Sequence, residues 1–506
     1  MSTEIDKNGQ NTFTALGEVL GLALPIIVAV GSATIMQFID FWMVAQFGKD
    51  ETAAVTPAGS LVFTITSFLI GLLSCNNTFV SQSHAKGRFA DCARYTWQAV
   101  YLSVIGGIVA ISLWPIAPRL FALIGHESEL QHLEVVYFRI MLFSVMTCAA
   151  GMGLSGFFQG IGRPRIMMWV ALVANGLNIF INWVLIFGNL GFPAMGVAGA
   201  GLGTSLAMCG QAVALLLAFL SSKYAKKYRT REVRGWDGVR AKDLFRIGWP
   251  AGVQYALDVA CWGVFTALVV GRLGKVQLAA SNIAAQMLHL SFMPTLGLSM
   301  ATTALVGQQI GKGNLQAARA RGGMAIRLGM AYMFSMGVLF LIFRKALMGF
   351  FRPDAEIIRL GAQILVLAAG FQLFDALCIV CGGALKGAGD TRFPAMVQIG
   401  LAWGVFLPAS YVLAYVMDFK VAGAWGGACI FIIIFGVVLL FRWRSRAWEK
   451  INIFAGKPFR PAELPGQVPL SGPLEEVLEV PLSEEDNETE GNGEPTDAPA
   501  ESEENE

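Results

Sequence analysis

The stretch "AAGFQLFDALCIVCGGALKGAGDTR", residues 368–392, carries the reading of the fold. Its first part is an apolar run without the alternation of a strand, long enough for one crossing of a hydrocarbon core about 30 Å thick, which takes roughly 20 helical residues. Its end, "GAGDTR", reads as a turn. In the middle of the apolar part stands a carboxylate, Asp375.

Working outward, apolar runs of the same kind recur along the chain. Twelve are legible: 17–47, 53–81, 95–118, 130–158, 165–188, 195–221, 244–271, 277–306, 323–343, 358–385, 393–417 and 421–441. A composition of 55% apolar and 14% charged residues, with mean hydropathy +0.58, excludes a soluble protein of this length. The expected fold is therefore all-α and integral to a membrane.

The terminal turn also recurs. "GIGRPR" (160–165) matches "GAGDTR" (387–392), "VSQSHAKG" (80–87) matches "VGQQIGKG" (306–313), and "VAGAG" (197–201) matches "VAGAW" (421–425), at offsets of 227, 226 and 224 residues. Three matches in one order at nearly one offset describe two halves of six helices each. An even number of crossings returns the chain to its starting side, so the halves are parallel repeats about an axis normal to the membrane. Two such bundles leave a cleft between them that can open to either side. The organisation expected is a short N-terminal segment (1–15), an N-terminal lobe (16–221), a basic linker (222–243), a C-terminal lobe (244–446) and an acidic tail (447–506).

Lys and Arg set the orientation. The densest cluster, from Lys223 to Lys242, falls in the linker, and further basic residues fall at 86–94, 163–165 and 312–321, which are all on one side. That side is read as cytoplasmic, with both termini on it, in a cell (inner) membrane. Beyond about residue 456 the chain holds fifteen Asp and Glu against Lys457 and Arg460, a composition expected to stay disordered. Without it the body carries 35 Lys and Arg against 20 Asp and Glu, near +15, where the whole chain is +2. A basic body suits an anionic leaflet, and no nucleic-acid partner is needed to explain it. The eight cysteines are scattered and form neither a disulfide framework nor a zinc pattern.

Three acids lie inside apolar runs: Asp40, Asp258 and Asp375. Placing an Asp at the centre of a bilayer costs about 2.5–3.5 kcal/mol on insertion scales, so each is expected to face protein or a water-filled cavity. Amides accompany them. Asn175, Asn178 and Asn182 share one helix face, Gln254 lies one turn before Asp258, and Gln286 sits in the next run. Carbonyl oxygens beside a carboxylate can bind helices together or ligate a hard cation. No ATP-binding loop, His-Glu-x-x-His or Gly-x-Ser-x-Gly is present, so neither an ATP-driven pump nor an enzyme is expected.

The segments "LALPI…FID", "GWPAGVQYALD", "NIAAQ…FMP…VGQQIGKGN" and "FQLFD…LKGAGDTR" together resemble the multidrug and toxin extrusion (MATE) transporters, NorM-like branch, over residues 15–450. The resemblance implies a central substrate cavity and export of amphiphilic organic cations in exchange for inward H+ or Na+, by a monomer without a bound cofactor. It matches Asp40 to the acid of the first helix, Asp258 and Asp375 to the pair of the C-terminal lobe, and Asn178, Asn182, Thr204 and Gln286 to accessory polar positions. Na+ would sit at Asp258 and Asp375, or at Asp40, Asn178 and Asn182. Two departures stand out: Phe371 replaces a Tyr, and Asp258 replaces a Glu. Loss of a hydroxyl and of one methylene tilts the C-terminal pair towards H+. Phe38, Trp42, Trp262, Phe292 and Phe371 are candidate cavity aromatics for flat cations. The alternative is a lipid-linked oligosaccharide flippase of the same broad superfamily, which would want cationic rather than acidic intramembrane groups.

Overall fold

The computed structural model describes residues 12–47, 49–122, 127–350 and 354–454. Twelve helices are long and apolar enough to cross a membrane: α1 Ala15–Val44, α2 Val55–Ala85, α3 Phe89–Ala122, α4 Ser128–Gly160, α5 Pro164–Phe187, α6 Gly196–Leu220, α7 Gly238–Leu273, α8 Lys275–Gly311, α9 Leu315–Gly349, α10 Ala355–Ala388, α11 Arg392–Val416 and α12 Lys420–Arg444. Each of the twelve apolar runs corresponds to one of them, and no strand occurs among the described residues.

Several helices outrun their apolar cores, because a helix continues into the interfacial zone on capping and side-chain hydrogen bonds that hydropathy does not register. Helix α7 starts at Gly238, inside the stretch read as linker, since the Asp237 carboxylate accepts from the backbone N–H of Val239 and Arg240 at 3.2 and 3.1 Å. Asn314 caps α9 in the same way, accepting from Ala317 N–H at 2.9 Å. The linker itself contains a short helix, Ser222–Tyr228. The compact body runs to Phe454, so residues 447–454, read as the start of the tail, belong to the packed structure. The rest of that tail and the first eleven residues lie outside the described residues.

The packing repeats as the motifs do. In the first lobe α2 packs on α4, α3 on α4, α4 on α6, α1 on α5 and α5 on α6; in the second, α8 on α10, α9 on α10, α10 on α12, α7 on α11 and α11 on α12. Adding six to each helix number converts one set into the other. Between the lobes α2 packs on α7 and α1 on α8, and the same operation exchanges these two contacts. The repeated motifs are helix stops: Gly162 and Gly389 have φ of +75° and +87°, and Gly87 and Gly313 have +73° and +74°, left-handed turns that a side chain would strain. Small residues set the spacing inside each lobe. A Cβ on Gly160 of α4 would fall 2.8 Å from Val80 Cβ, and one on the equivalent Gly387 of α10 would fall 2.6 Å from the Thr303 carbonyl.

The connections after α2, α4, α6, α8 and α10 lie on one side, called here the linker side. The inter-lobe hydrogen bonds of the described residues gather in that half. Gln82 Nε2 donates to the Gly387 carbonyl at 3.0 Å, Asn77 Nδ2 to the Met300 carbonyl at 3.1 Å, Thr78 Oγ1 to the Lys386 carbonyl at 2.9 Å, and Lys386 Nζ to Ser74 Oγ at 3.2 Å. Two ion pairs cross the same seam, Arg240 with Asp91 at 2.7 Å and Arg321 with Glu18 at 2.6 Å. Helix α2 breaks at Ser74–Cys75; Asn77 turns into this network, while Asn76 donates within its own lobe to the Gly153 carbonyl and Thr96 Oγ1. Glycines bring the backbones together: a Cβ on Gly71 would fall 2.4 Å from the Ala251 carbonyl, and one on Gly248 would fall 2.5 Å from the Leu72 carbonyl.

Candidate functional site

The acids lie on the far side of this seam. Its last inter-lobe ring contact pairs Phe63 of α2 with Tyr255 of α7, edge to face at 6.1 Å. Asp258 follows Tyr255 by one helical turn, on the side of this contact away from the linker.

In the first lobe, the sequence-predicted cluster is assembled. Asn182 Nδ2 donates to Asp40 Oδ1 at 2.7 Å, joining α5 to α1. The amide orientation that satisfies Asn178 places its nitrogen 2.7 and 3.1 Å from Oδ1 and Oδ2 of Asp40. The other end of that amide lies 3.5 Å from Thr204 Oγ1 of α6. Both asparagines are fully buried, while Asp40 is half-buried. Asn175, one turn earlier, donates to Ser32 Oγ at 2.8 Å and serves the α1–α5 contact. Gly203 was not singled out from the sequence, yet a Cβ there would fall 1.9 Å from Asn182 Oδ1. The missing side chain gives the amide its place. Asn182 Oδ1 itself is buried without a hydrogen-bond partner, an oxygen of the kind a hard cation accepts.

The second lobe builds its site from the equivalent helices, α7 and α11, with a residue the sequence reading missed. Gln398 Nε2 of α11 donates to Asp258 Oδ1 at 2.7 Å, and its Oε1 accepts from Gln254 Nε2. The signal was present, since Gln398 is the one amide in the run "RFPAMVQIGLAWG", but a single amide does not announce which helix it faces. Asp375 on α10 is half-buried and makes no hydrogen bond among the described residues. Asp258 lies within electrostatic reach of it, as does Tyr255 of Asp258. Asp258 and Asp375 are thus brought together electrostatically without sharing a hydrogen bond.

Two sequence-predicted residues are placed otherwise. Phe371 is only 3% exposed and packs in the apolar core of its lobe, so it does not present its ring to a cleft. Four residues before Asp375 is one turn, but Phe371 is aimed into the packing of the lobe. Gln286 is exposed on α8 and hydrogen-bonds to neither acid cluster. Of the other aromatics, Phe38 and Trp42 are exposed beside Asp40, whereas Trp262 packs against Phe406 and Phe265 at 5.0 and 5.6 Å. Among the described residues no group of three or more His, Cys, Asp or Glu could hold a metal ion.

The profile of the MatE family matches residues 25–184 and 250–412, one segment in each lobe. A "Probable multidrug resistance protein NorM" of Mesorhizobium japonicum is 32% identical over 437 residues, covering 84% of this chain and 93% of that protein. The "Multidrug resistance protein NorM" of Burkholderia vietnamiensis is 30% identical over 436 residues, covering 84% of this chain and 92% of its own length. Among solved structures, one described as MATE in complex with MaL6 superposes with a TM-score of 0.79 at 20% identity, covering 86% of this chain and 98% of that one. The eukaryotic MATE transporter AtDTX14 superposes with 0.78 at 18% identity, covering 87% and 97%. A MOP superfamily transporter of Pyrococcus furiosus, described as having a binding pocket of reversed polarity that suggests a different function, does so with 0.78 at 19%, covering 86% and 97%. With twelve membrane-crossing helices in two repeated lobes, and with a family profile that matches both, this chain is a member of the MatE family of multi-pass membrane transporters.

Proposed function

We propose that the protein is a secondary antiporter for multidrug efflux, exporting amphiphilic organic cations in exchange for inward H+ or Na+ by alternating access. The observation that carries this reading is the placement of Asp375: half-buried in a membrane helix, without a hydrogen-bond partner, and within electrostatic reach of Asp258. A bare carboxylate in such surroundings takes up a proton, a metal cation or an organic cation, and each excludes the others. A driving ion shifts the equilibrium between two orientations only by its difference in affinity for them, and this competition supplies the difference. The names of the relatives support the substrate class. The fold is shared with a transporter whose pocket is described as reversed in polarity, so the fold alone does not select the charge of the substrate. Here the intramembrane charges beside the cleft are acidic, which favours cations over a lipid pyrophosphate.

H+ is the favoured ion at the C-terminal pair, because one oxygen of Asp258 is occupied by an amide N–H and Phe371 brings neither a hydroxyl nor access. At Asp40 the carboxylate already accepts from two amide N–H groups and Asn182 Oδ1 lies against Gly203, so Na+ is no better provided for there. The linker side is read as cytoplasmic on its basic residues, in a cell (inner) membrane, with the transporter working as a monomer. Proteoliposomes loaded with an organic cation and given separate pH and Na+ gradients test this. Flux driven by at least one gradient, and lost in Asp375→Asn, is expected; gradient-driven flux at the parent rate in Asp375→Asn would overturn it.

A further inference from the structure

The residues that follow α12 leave their own lobe. Trp448 is 1% exposed, stacks on Trp443 with ring centroids 4.5 Å apart, and donates its indole N–H to the Trp443 carbonyl at 2.9 Å. Next to it Arg319 of α9 grips Glu449 through two hydrogen bonds of 2.6 and 2.7 Å. This is a firm anchor on the C-terminal lobe. Six residues on, the chain is packed against the other lobe. Ile453 is 5% exposed and belongs to the apolar cluster that joins Leu72, Leu73, Phe79 and Tyr95 of the first lobe to Leu244 and Ala251 of the second. The ring of Phe454 meets Phe79 edge to face at 6.1 Å and Tyr95 at 6.3 Å, and Lys86 Nζ lies 4.4 Å above its centre. Ile453 also lies against the turn that stops α10 in its own lobe, where a Cβ on Gly389 would fall 2.1 Å from its Cγ2.

We propose that residues 445–454 form a strap that holds the linker-side mouth closed, and that its foot, Ile453 and Phe454, leaves the N-terminal lobe whenever that mouth opens. The inference rests on the alternating-access reading, because only a mouth that opens needs a strap that releases. The strap ties Glu449, held by Arg319 of the C-terminal lobe, to Phe454 against Phe79 and Tyr95 of the N-terminal lobe, so the lobes cannot separate there with both ends of the strap seated. The foot yields before the anchor. A stacked, fully buried Trp and a bidentate Arg–Glu pair hold one end, whereas one Ile, a half-buried Phe and an exposed lysine hold the other.

Cys75 is the natural reporter. It is fully buried at the break in α2, with Sγ 3.9 Å from the Ile247 carbonyl across the seam. Cys261, 1% exposed within the C-terminal lobe, is the internal reference. In the full chain in proteoliposomes, alkylation by N-ethylmaleimide is followed at each cysteine by peptide mass spectrometry. Ile453→Ala with Phe454→Ala is expected to raise the Cys75 rate about tenfold, equivalent to about 1.4 kcal/mol of closed-state stabilisation, and to leave Cys261 unchanged. Lys86→Gln alters one exposed side chain, without risk to folding, and is expected to raise the Cys75 rate about threefold. A Cys75 rate that stays at the parent value in both variants, or a Cys261 rate that rises in parallel, overturns the strap. Labelling reports opening without transport, so loss of ion-driven flux with an intact Cys75 response would fault the antiport reading and leave the strap standing.

Discussion

Asp40 of the first lobe and Asp258 of the second occupy repeat-equivalent helix pairs and both accept from an amide, whereas Asp375 on α10 stands outside that equivalence and accepts from none. Asp40 and Asn182 join α1 to α5, as Asp258 and Gln398 join α7 to α11. Under the repeat offset Asp258 corresponds to about Ala33 and Gln398 to about Ala171, so the first-lobe acid is displaced by about two turns and its amide partner by about three, both towards the far side. Asp40 has two amide donors on its oxygens from fully buried asparagines, whereas Asp375 has none. A satisfied carboxylate is structurally committed. An unsatisfied one is available to an ion. On the antiport reading proposed above, the difference gives ion exchange chiefly to the second lobe and a supporting part to the first.

The sharpest way to break that contrast is Asp375→Asn. It removes charge but no hydrogen bond, so gradient-driven flux is expected to fall at least about tenfold. Thermal stability in detergent should stay within about 1 kcal/mol of the parent. A large loss of stability would show that Asp375 is part of the scaffold.

Gln398→Leu comes next. It strips a donor from Asp258 and an acceptor from Gln254, at a cost of about 1.5–3 kcal/mol read from thermal unfolding, and flux should drop several-fold without vanishing. Unchanged flux and stability would mean that the amide bridge is incidental.

In the first lobe, Gly203→Ala pushes a methyl against Asn182 Oδ1 and is expected to destabilise by about 1–3 kcal/mol while lowering flux moderately. Asp40→Asn should lower flux to a similar extent. If either removes transport as completely as Asp375→Asn, the two lobes share the exchange equally.

The smallest effect on transport is expected from Phe371→Tyr. On sequence alone, restoring a hydroxyl should raise Na+ dependence. The packed environment of Phe371 argues the other way, because a buried hydroxyl without a partner would cost about 1–3 kcal/mol of stability. Flux measured against Na+ concentration should match the parent; a new Na+ dependence would place the ring at the ion site after all.

The sequence by itself determined the number of crossings, the division into two parallel halves, the basic side and the three intramembrane acids. Each of these is carried by local composition or by self-similarity at one offset, and neither requires knowing how helices are rotated about their axes. It also placed Asp40, Asn178 and Asn182 in one group, because spacings of three and four on a helix define a face. Tertiary structure alone decided which face meets which. Gln398 became the partner of Asp258 and Gly203 the seat of Asn182, while Phe371 turned into the core and Gln286 stayed apart. The strap was hidden for the same reason. "WEKINIF" reads as the start of a polar tail until Phe454 finds, across the seam, the rings of Phe79 and Tyr95, more than three hundred positions earlier.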